Sequence, residues 1–226
     1  MFHVKHPAIP QHETLVSAMQ YEPEPLAAST LFPSERLELA RAFTRHLAEQ
    51  GETLGLIGPL ELPRLWTRHV LNSTLVARLL RPGLVGDIGS GAGLPGLLLA
   101  IARPDVDLVL IEPMERRTDW LQSEVDELGL GNVVVVRARA EDAPYVGRFD
   151  QVTARAVSAL RTLIPSVVPL VRPGGELLLM KGARVEEERA AAAKQIGKAR
   201  LRDIEVLELA EPGLAESTRV FRALVG

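Results

Sequence analysis

Residues 87–96, Asp-Ile-Gly-Ser-Gly-Ala-Gly-Leu-Pro-Gly, form a glycine-dense turn between a short apolar run, Leu84-Val85, and an apolar helical pattern from Leu97 to Ala102. A strand, a glycine turn and a helix in that order constrain the fold strongly. Glycines at 89, 91 and 93 allow positive φ and let the main chain approach a ligand, and the helix that follows offers free N–H groups. The expectation is an α/β fold holding a nucleotide-type cofactor at this turn, with Pro95 starting the helix and Leu94 extended before it.

The remaining sequence fits that frame. Short β-branched runs at 84–88, 107–111, 133–137, 149–153 and 176–180 alternate with helical stretches, the pattern of a parallel sheet with crossover helices. A charged helix is expected from about 185 to 199, with Glu186, Glu187 and Glu188 suited to its first turn. Two further strands, 203–209 and 218–225, are joined by a link too short for a crossover helix, so they pair as an antiparallel hairpin. Upstream, Ser34 is a plausible N-cap for a helix through Leu37, Ala40, Phe43, Thr44 and Leu47 to Gly51. A second helix is predicted from Arg64 to about Leu80, stopped by Pro82-Gly83. The resulting division is an irregular N-terminal arm at 1–33, a helical extension at 34–83 and a catalytic domain at 84–226.

Composition narrows the function classes. At 226 residues and 46% hydrophobic, the chain can bury one full core. A net charge of -3 rules out an all-round basic surface for nucleic acid but leaves room for a local basic face. The absence of cysteine excludes a disulfide framework, a thiolate nucleophile and a cysteine-ligated metal. No His pair at metal spacing and no Ser-His-Asp set is evident, so no metal is expected. The first thirty residues contain no apolar run of signal-peptide or membrane-span type, and a cytoplasmic location is expected.

The turn itself admits two cofactors. Residues 91–96 match GxGxxG, and Glu112 stands near where a dinucleotide's ribose-binding acid belongs, so an NAD-dependent oxidoreductase is one reading. Three features favour S-adenosylmethionine. Asp87, two residues before the first glycine, would repel a pyrophosphate and attract the ammonium of a methionine moiety. Residues 182–226 are too few for a substrate domain. An antiparallel hairpin closing a parallel sheet is the ending of the seven-stranded, Rossmann-like methyltransferase fold. On this reading the cofactor contacts Asp87, Gly89, Gly91 and Gly93, Glu112 accepts from the ribose hydroxyls, and Glu141 or Asp142 borders the adenine. The bland alternative for Glu112 is a solvated strand end.

Seven ordered segments carry a more specific likeness: GLIGP at 55–59, RLWTRHVLNS at 64–73, DIGSGAGLPG at 87–96, IEPMERR at 111–117, RAED at 139–142, ARAVSAL at 154–160 and MKG at 180–182. From about residue 54 onward the chain resembles the bacterial ribosomal RNA guanine methyltransferases of the RsmG, or glucose-inhibited division protein B, family. The resemblance implies transfer of a methyl group from S-adenosylmethionine to the 7-nitrogen of one guanine in 16S ribosomal RNA, free or in the small ribosomal subunit, by a monomer. It also implies that Gly89 and Leu94 line the cofactor site, that Ala140 and Glu141 meet the adenine end, and that Arg155 completes the pocket. Asn72 replaces the aspartate usual in the family's RHxLDS, and Gly55-Leu56-Ile57 replaces its usual Asn-Leu-Thr.

The implied chemistry matches what the residues lack. A guanine 7-nitrogen carries an in-plane lone pair and no proton, so displacement at a sulfonium methyl needs no general base, and positioning supplies most of the effect. A donor such as Arg155 or Lys181, at the ends of the fourth and fifth strands, would hold the guanine 6-oxygen and leave the nitrogen free. The alternatives are a salt bridge from Arg155 to Asp150 and a solvated strand end at Lys181. Arg116 and Arg117 are candidates for phosphate binding or for surface pairs with Glu115 and Asp119. Arg64, Arg68 and His69 would face the RNA from the extension; His69 alternatively serves as a hydrogen-bonded core residue. A catalytically idle RNA-binding assembly factor would share all these features.

Overall fold

Runs rich in Val, Leu and Ile bounded by glycine and proline become seven strands: β1 (Leu84–Ile88), β2 (Asp107–Glu112), β3 (Val133–Arg137), β4 (Phe149–Arg155), β5 (Val171–Lys181), β6 (Arg202–Leu209) and β7 (Thr218–Leu224). In this computed structural model, which describes residues 21–226, they form one sheet in the order β3-β2-β1-β4-β5-β7-β6. The first five are parallel, and β7 inserts antiparallel between β5 and β6. The hairpin ending expected from the short 210–217 link is therefore present.

Period-two alternation sorts side chains to two faces. Leu108 and Leu110 of β2, with Leu178 and Met180 of β5, join a core that includes the helices Leu37–Gln50, Gly96–Ala102 and Glu115–Glu127. Val109 and Ile111, with Leu177 and Leu179, join the core beneath the helix Leu160–Val167. Phe43, Leu47, Leu65 and Trp66 of the extension belong to the first of these cores, so the extension packs as part of the domain.

Several expectations change. A short helix, Ala28–Leu31, occupies part of the segment predicted to be irregular, and residues 1–20 of that arm lie outside the described residues. Ser34 does not cap the next helix: Arg36 is its N-cap, and the Ser34 hydroxyl bonds Glu35. The predicted helix at 64–80 is a chain of unlike turns: 3-10 at Pro59–Arg64, π at Leu65–Leu71, α at Asn72–Thr74 and 3-10 at Leu75–Leu79. Pro59 and Pro63 lack N–H donors, and the carbonyls of Arg68 and His69 in the π turn also accept from the guanidinium of Arg155. The charged helix breaks at Ala192 into Val185–Ala191 and Ala193–Lys198. β5 begins at Val171, ahead of Pro173-Gly174-Gly175, and its pairing shifts register between Phe149 and Gln151.

One cluster joins extension to domain. His46 Nδ1 lies 3.1 and 3.2 Å from the two oxygens of Glu124 and 3.8 Å from Glu127, hydrogen-bond contacts that offset the cost of burying Glu124. Among the described residues no helix is long and apolar enough to cross a membrane.

Candidate functional site

The parallel strands end at one edge of the sheet, where open α/β sheets bind ligands at the point of reversed strand order. β1 and β4 are adjacent there, and two cavities flank them. The first, about 390 Å³, is lined by Gly89, Glu112, Met114, Arg117, Ala140, Glu141 and Arg155 among others. The second, about 700 Å³, is lined by Arg68, Asn72, Arg155, Lys181, Glu188 and the hairpin residues 216–219. Arg155, Ala156, Val157 and Ser158 line both and form the partition between them.

In the first cavity the glycine turn and Glu112 make one unit. Gly89 has φ +71°, and a Cβ there would stand 2.8 Å from Val157 Cγ2. The buried Glu112 accepts from Gly91 N–H at 3.0 Å through one carboxylate oxygen and from Met114 N–H at 3.0 Å through the other. A solvated strand end is thereby replaced by a fixed acid in the cavity lining with lone pairs to spare, an acceptor set suited to the two hydroxyls of a ribose. Ala140 and Glu141 sit at the far wall, in the short turn after β3. Gly91, Gly93 and Leu94 shape the turn, while Gly93 packs on Leu97 and Leu94 packs against the core. Pro95 is the N-cap of the helix rather than its first residue.

Asp87 lies at the end of β1, under the glycine turn. Its side chain is 0% exposed, with Oδ2 accepting from Gly96 N–H at 3.1 Å and Oδ1 without a partner among the described residues. Burial pushes its carboxyl up to about 7, with the charge of Glu112 adding and that of Arg155 opposing. An acid whose folded value is raised stabilises the fold at pH below its unfolded value near 3.8 and loses that contribution as pH rises to about 7. Asp87→Asn should therefore raise the stability of the ligand-free protein at pH 8 by up to on the order of 4 kcal/mol, and by clearly less at pH 5. Urea unfolding at the two pH values checks this; an equal change at both contradicts it.

Arg155 is largely buried, and its ordinary partner expectation fails: Asp150 pairs instead with Arg172 at 2.7 Å. Its Nη1 donates to Ser73 Oγ at 2.6 Å and to His69 O at 3.4 Å, and its Nη2 donates to His69 Nδ1 at 2.9 Å and to Arg68 O at 3.4 Å. Burial pulls the guanidinium down to about 10, so it stays charged at neutral pH. Lys181, with a side chain only 7% exposed, donates to Ser158 O at 2.7 Å and pairs with Glu188 at 2.8 Å, which braces the partition.

The remaining candidates separate. Arg68 lines the second cavity, 3.4 Å from both Glu61 and Glu216. Arg64 bonds Glu61 at 2.7 Å, and His69 is a hydrogen-bonded, mostly buried residue. Arg117 lines the first cavity with a buried Nε that has no partner among the described residues, whereas Arg116 is exposed beside Gln50, Leu54 and Asp119. The alternative, surface pairs with Glu115 and Asp119, is absent among the described residues; Glu115 pairs with Arg137. Sequence reasoning missed Glu61, Ser73 and Ser158. Asn72 is 7% exposed at the wall of the second cavity, with Oδ1 unpartnered among the described residues.

A sheet of this order with a terminal antiparallel hairpin and an acid-and-glycine cavity at the strand ends defines the S-adenosylmethionine-dependent methyltransferase fold. Solved structures agree: a SAM dependent methyltransferase from Aquifex aeolicus matches at TM-score 0.58 and 18% identity over 76% of this chain and 98% of that one. TYW2 of P. horikoshii, solved in complex with MeSAdo, matches at TM-score 0.55 and 15% identity over 70% of this chain and 62% of that one. A family model described as rRNA small subunit methyltransferase G (GidB) matches residues 36–216, and the chain belongs to that family. Ribosomal RNA small subunit methyltransferase G of Leifsonia xyli subsp. xyli is 64% identical over 204 residues, covering 90% of this chain and 97% of the relative. That of Clavibacter michiganensis subsp. michiganensis is 63% identical over 204 residues, covering 90% and 96%.

Proposed function

We propose that this chain transfers the methyl group of S-adenosylmethionine to the 7-nitrogen of a guanine in 16S ribosomal RNA, acting as a cytoplasmic monomer on the RNA or the small subunit. The observation that carries the reading is the pair of cavities sharing Arg155: one is built for a nucleoside, the other is large enough for a splayed-out base. S-adenosylmethionine, when bound, supplies the methyl group already activated on a sulfonium. Glu112 holds the ribose, Gly89 leaves room for the chain bearing the sulfur, and Ala140 and Glu141 border the adenine. Family membership and the names of the relatives support the ribosomal RNA substrate.

Arg155, rather than Lys181, holds the acceptor base. The Lys181 ammonium is committed to Glu188 and Ser158, whereas the Nε–H of Arg155 makes no hydrogen bond to the described residues. That N–H donates to the guanine 6-oxygen and leaves the neighbouring nitrogen lone pair free for attack. Arg68 and Arg117 at the cavity walls, with Arg64 and Arg116 further out, meet phosphates. Purified protein incubated with labelled S-adenosylmethionine should label 16S RNA, naked or in 30S particles, at a single guanine; absence of label from both would overturn the reading.

A further inference from the structure

Arg155 cannot place itself. Its guanidinium is held by the 65–73 segment, and the one side-chain acceptor there that can change charge is His69. Because an arginine only donates, the contact at 2.9 Å requires His69 Nδ1 to be the bare nitrogen, so its proton sits on Nε2. That Nε2–H points to a carboxylate oxygen of Glu61 at 2.6 Å. The other oxygen of Glu61 bonds Arg64 at 2.7 Å, and Arg68 approaches at 3.4 Å, which fixes the carboxylate in turn. A chain Glu61–His69–Arg155 thus runs from a proline-bounded turn of the extension to the partition between the two cavities.

We propose that His69, its tautomer set by Glu61, is the positioning residue that aims Arg155 at the acceptor base, and that a proton gained at His69 Nδ1 releases Arg155. The inference rests on the role given to Arg155 above. A protonated imidazole has donors at both nitrogens, so at Nδ1 two donors would face each other at hydrogen-bond distance and the contact would break. The groups facing the imidazole are Glu61, Arg155 and Arg68. Burial pulls its titration below the usual histidine range; Glu61 opposes this, and Arg155 and Arg68 add to it. His69 is therefore neutral at pH 7 to 8, and the holding contact is lost only as pH falls below the ordinary value near 6.5.

The sign separates this device from plain charge attraction. A histidine that gains charge beside RNA tightens binding as pH falls. The relay instead loosens the hold on the base, with kcat/KM for RNA falling about tenfold at the acid end, the size expected for one charge-assisted hydrogen bond. His69→Asn keeps an acceptor near the Nδ1 position but cannot titrate, so its profile should lack the acid limb, while His69→Ala should be impaired at every pH.

The test pairs single-turnover methylation of small-subunit RNA between pH 8 and 5.5, for the wild type and both variants, with nitrogen NMR of the imidazole. Binding of S-adenosylhomocysteine checks that each variant is folded. The relay predicts a neutral Nε2–H tautomer at pH 8 and an acid limb that His69→Asn removes. An Nδ1–H tautomer, or the same acid limb in His69→Asn as in the wild type, overturns it. If the tautomer is as predicted but the wild type at pH 8 methylates no RNA, the role of Arg155 falls and the proposed substrate with it.

Discussion

Replacing Arg155 by lysine should lower kcat/KM for RNA methylation about 100-fold, or ~3 kcal/mol of transition-state stabilisation, with a much smaller change in affinity for S-adenosylhomocysteine. Charge is retained, so the loss reports geometry. The guanidinium spans Ser73, His69 and the carbonyl of Arg68 with its two Nη groups while keeping Nε–H for the base. An ammonium has three donors at one point and cannot hold both sides of that partition. Single-turnover assays separate the effect on RNA from the effect on cofactor. A variant that turns over normally would show that the acceptor base is held elsewhere, with Lys181 the next donor in the cavity despite its bond to Glu188.

Gly89→Val should abolish cofactor binding, with a rise in the dissociation constant for S-adenosylhomocysteine of more than about 100-fold. Two causes act together. The backbone there has φ +71°, which costs a β-branched residue on the order of 1–2 kcal/mol or more. The added Cβ would also stand 2.8 Å from Val157 Cγ2, in the loop that both cavities share. The variant therefore pushes on the partition as well as filling ligand space. Gly89→Val combined with Val157→Ala relieves the clash but not the φ, so it should recover only a small part of the affinity. Calorimetric titration measures each step, and unaltered affinity in Gly89→Val would place the ligand away from this turn.

The sheet was legible because its signals are local. β-branched runs between glycine and proline marked every strand but β5 to within two residues at each end, and the short 210–217 link compelled the hairpin. The start of β5 was hidden because Pro173-Gly174-Gly175 has the composition of a turn, yet it lies within β5, where the pairing with β4 shifts register. Glu112 and the glycine turn were legible as a pair from their spacing. What the sequence hid was set by partners far along the chain. Arg155 meets Ser73 and His69 across more than eighty residues, and that contact accompanies a π turn where the apolar period indicated an ordinary helix. Asp87 was singled out because an acid there would attract an ammonium, but spacing alone did not show that its side chain is buried. Its burial follows from the helix behind it, where a Cβ on Gly96 would stand 2.5 Å from Asp87 Oδ2 and 2.3 Å from Leu110.

The central claim is that the cavity beside Arg155 presents the 7-nitrogen of one ribosomal guanine to a bound methyl donor. Its most direct test is to map 7-methylguanosine along 16S RNA from cells with and without this gene, and from deletion cells carrying the Arg155→Lys form. The account predicts one modified guanine that vanishes on deletion, returns with the wild-type gene and returns weakly or not at all with the lysine form. An unchanged modification map in the deletion strain would contradict it.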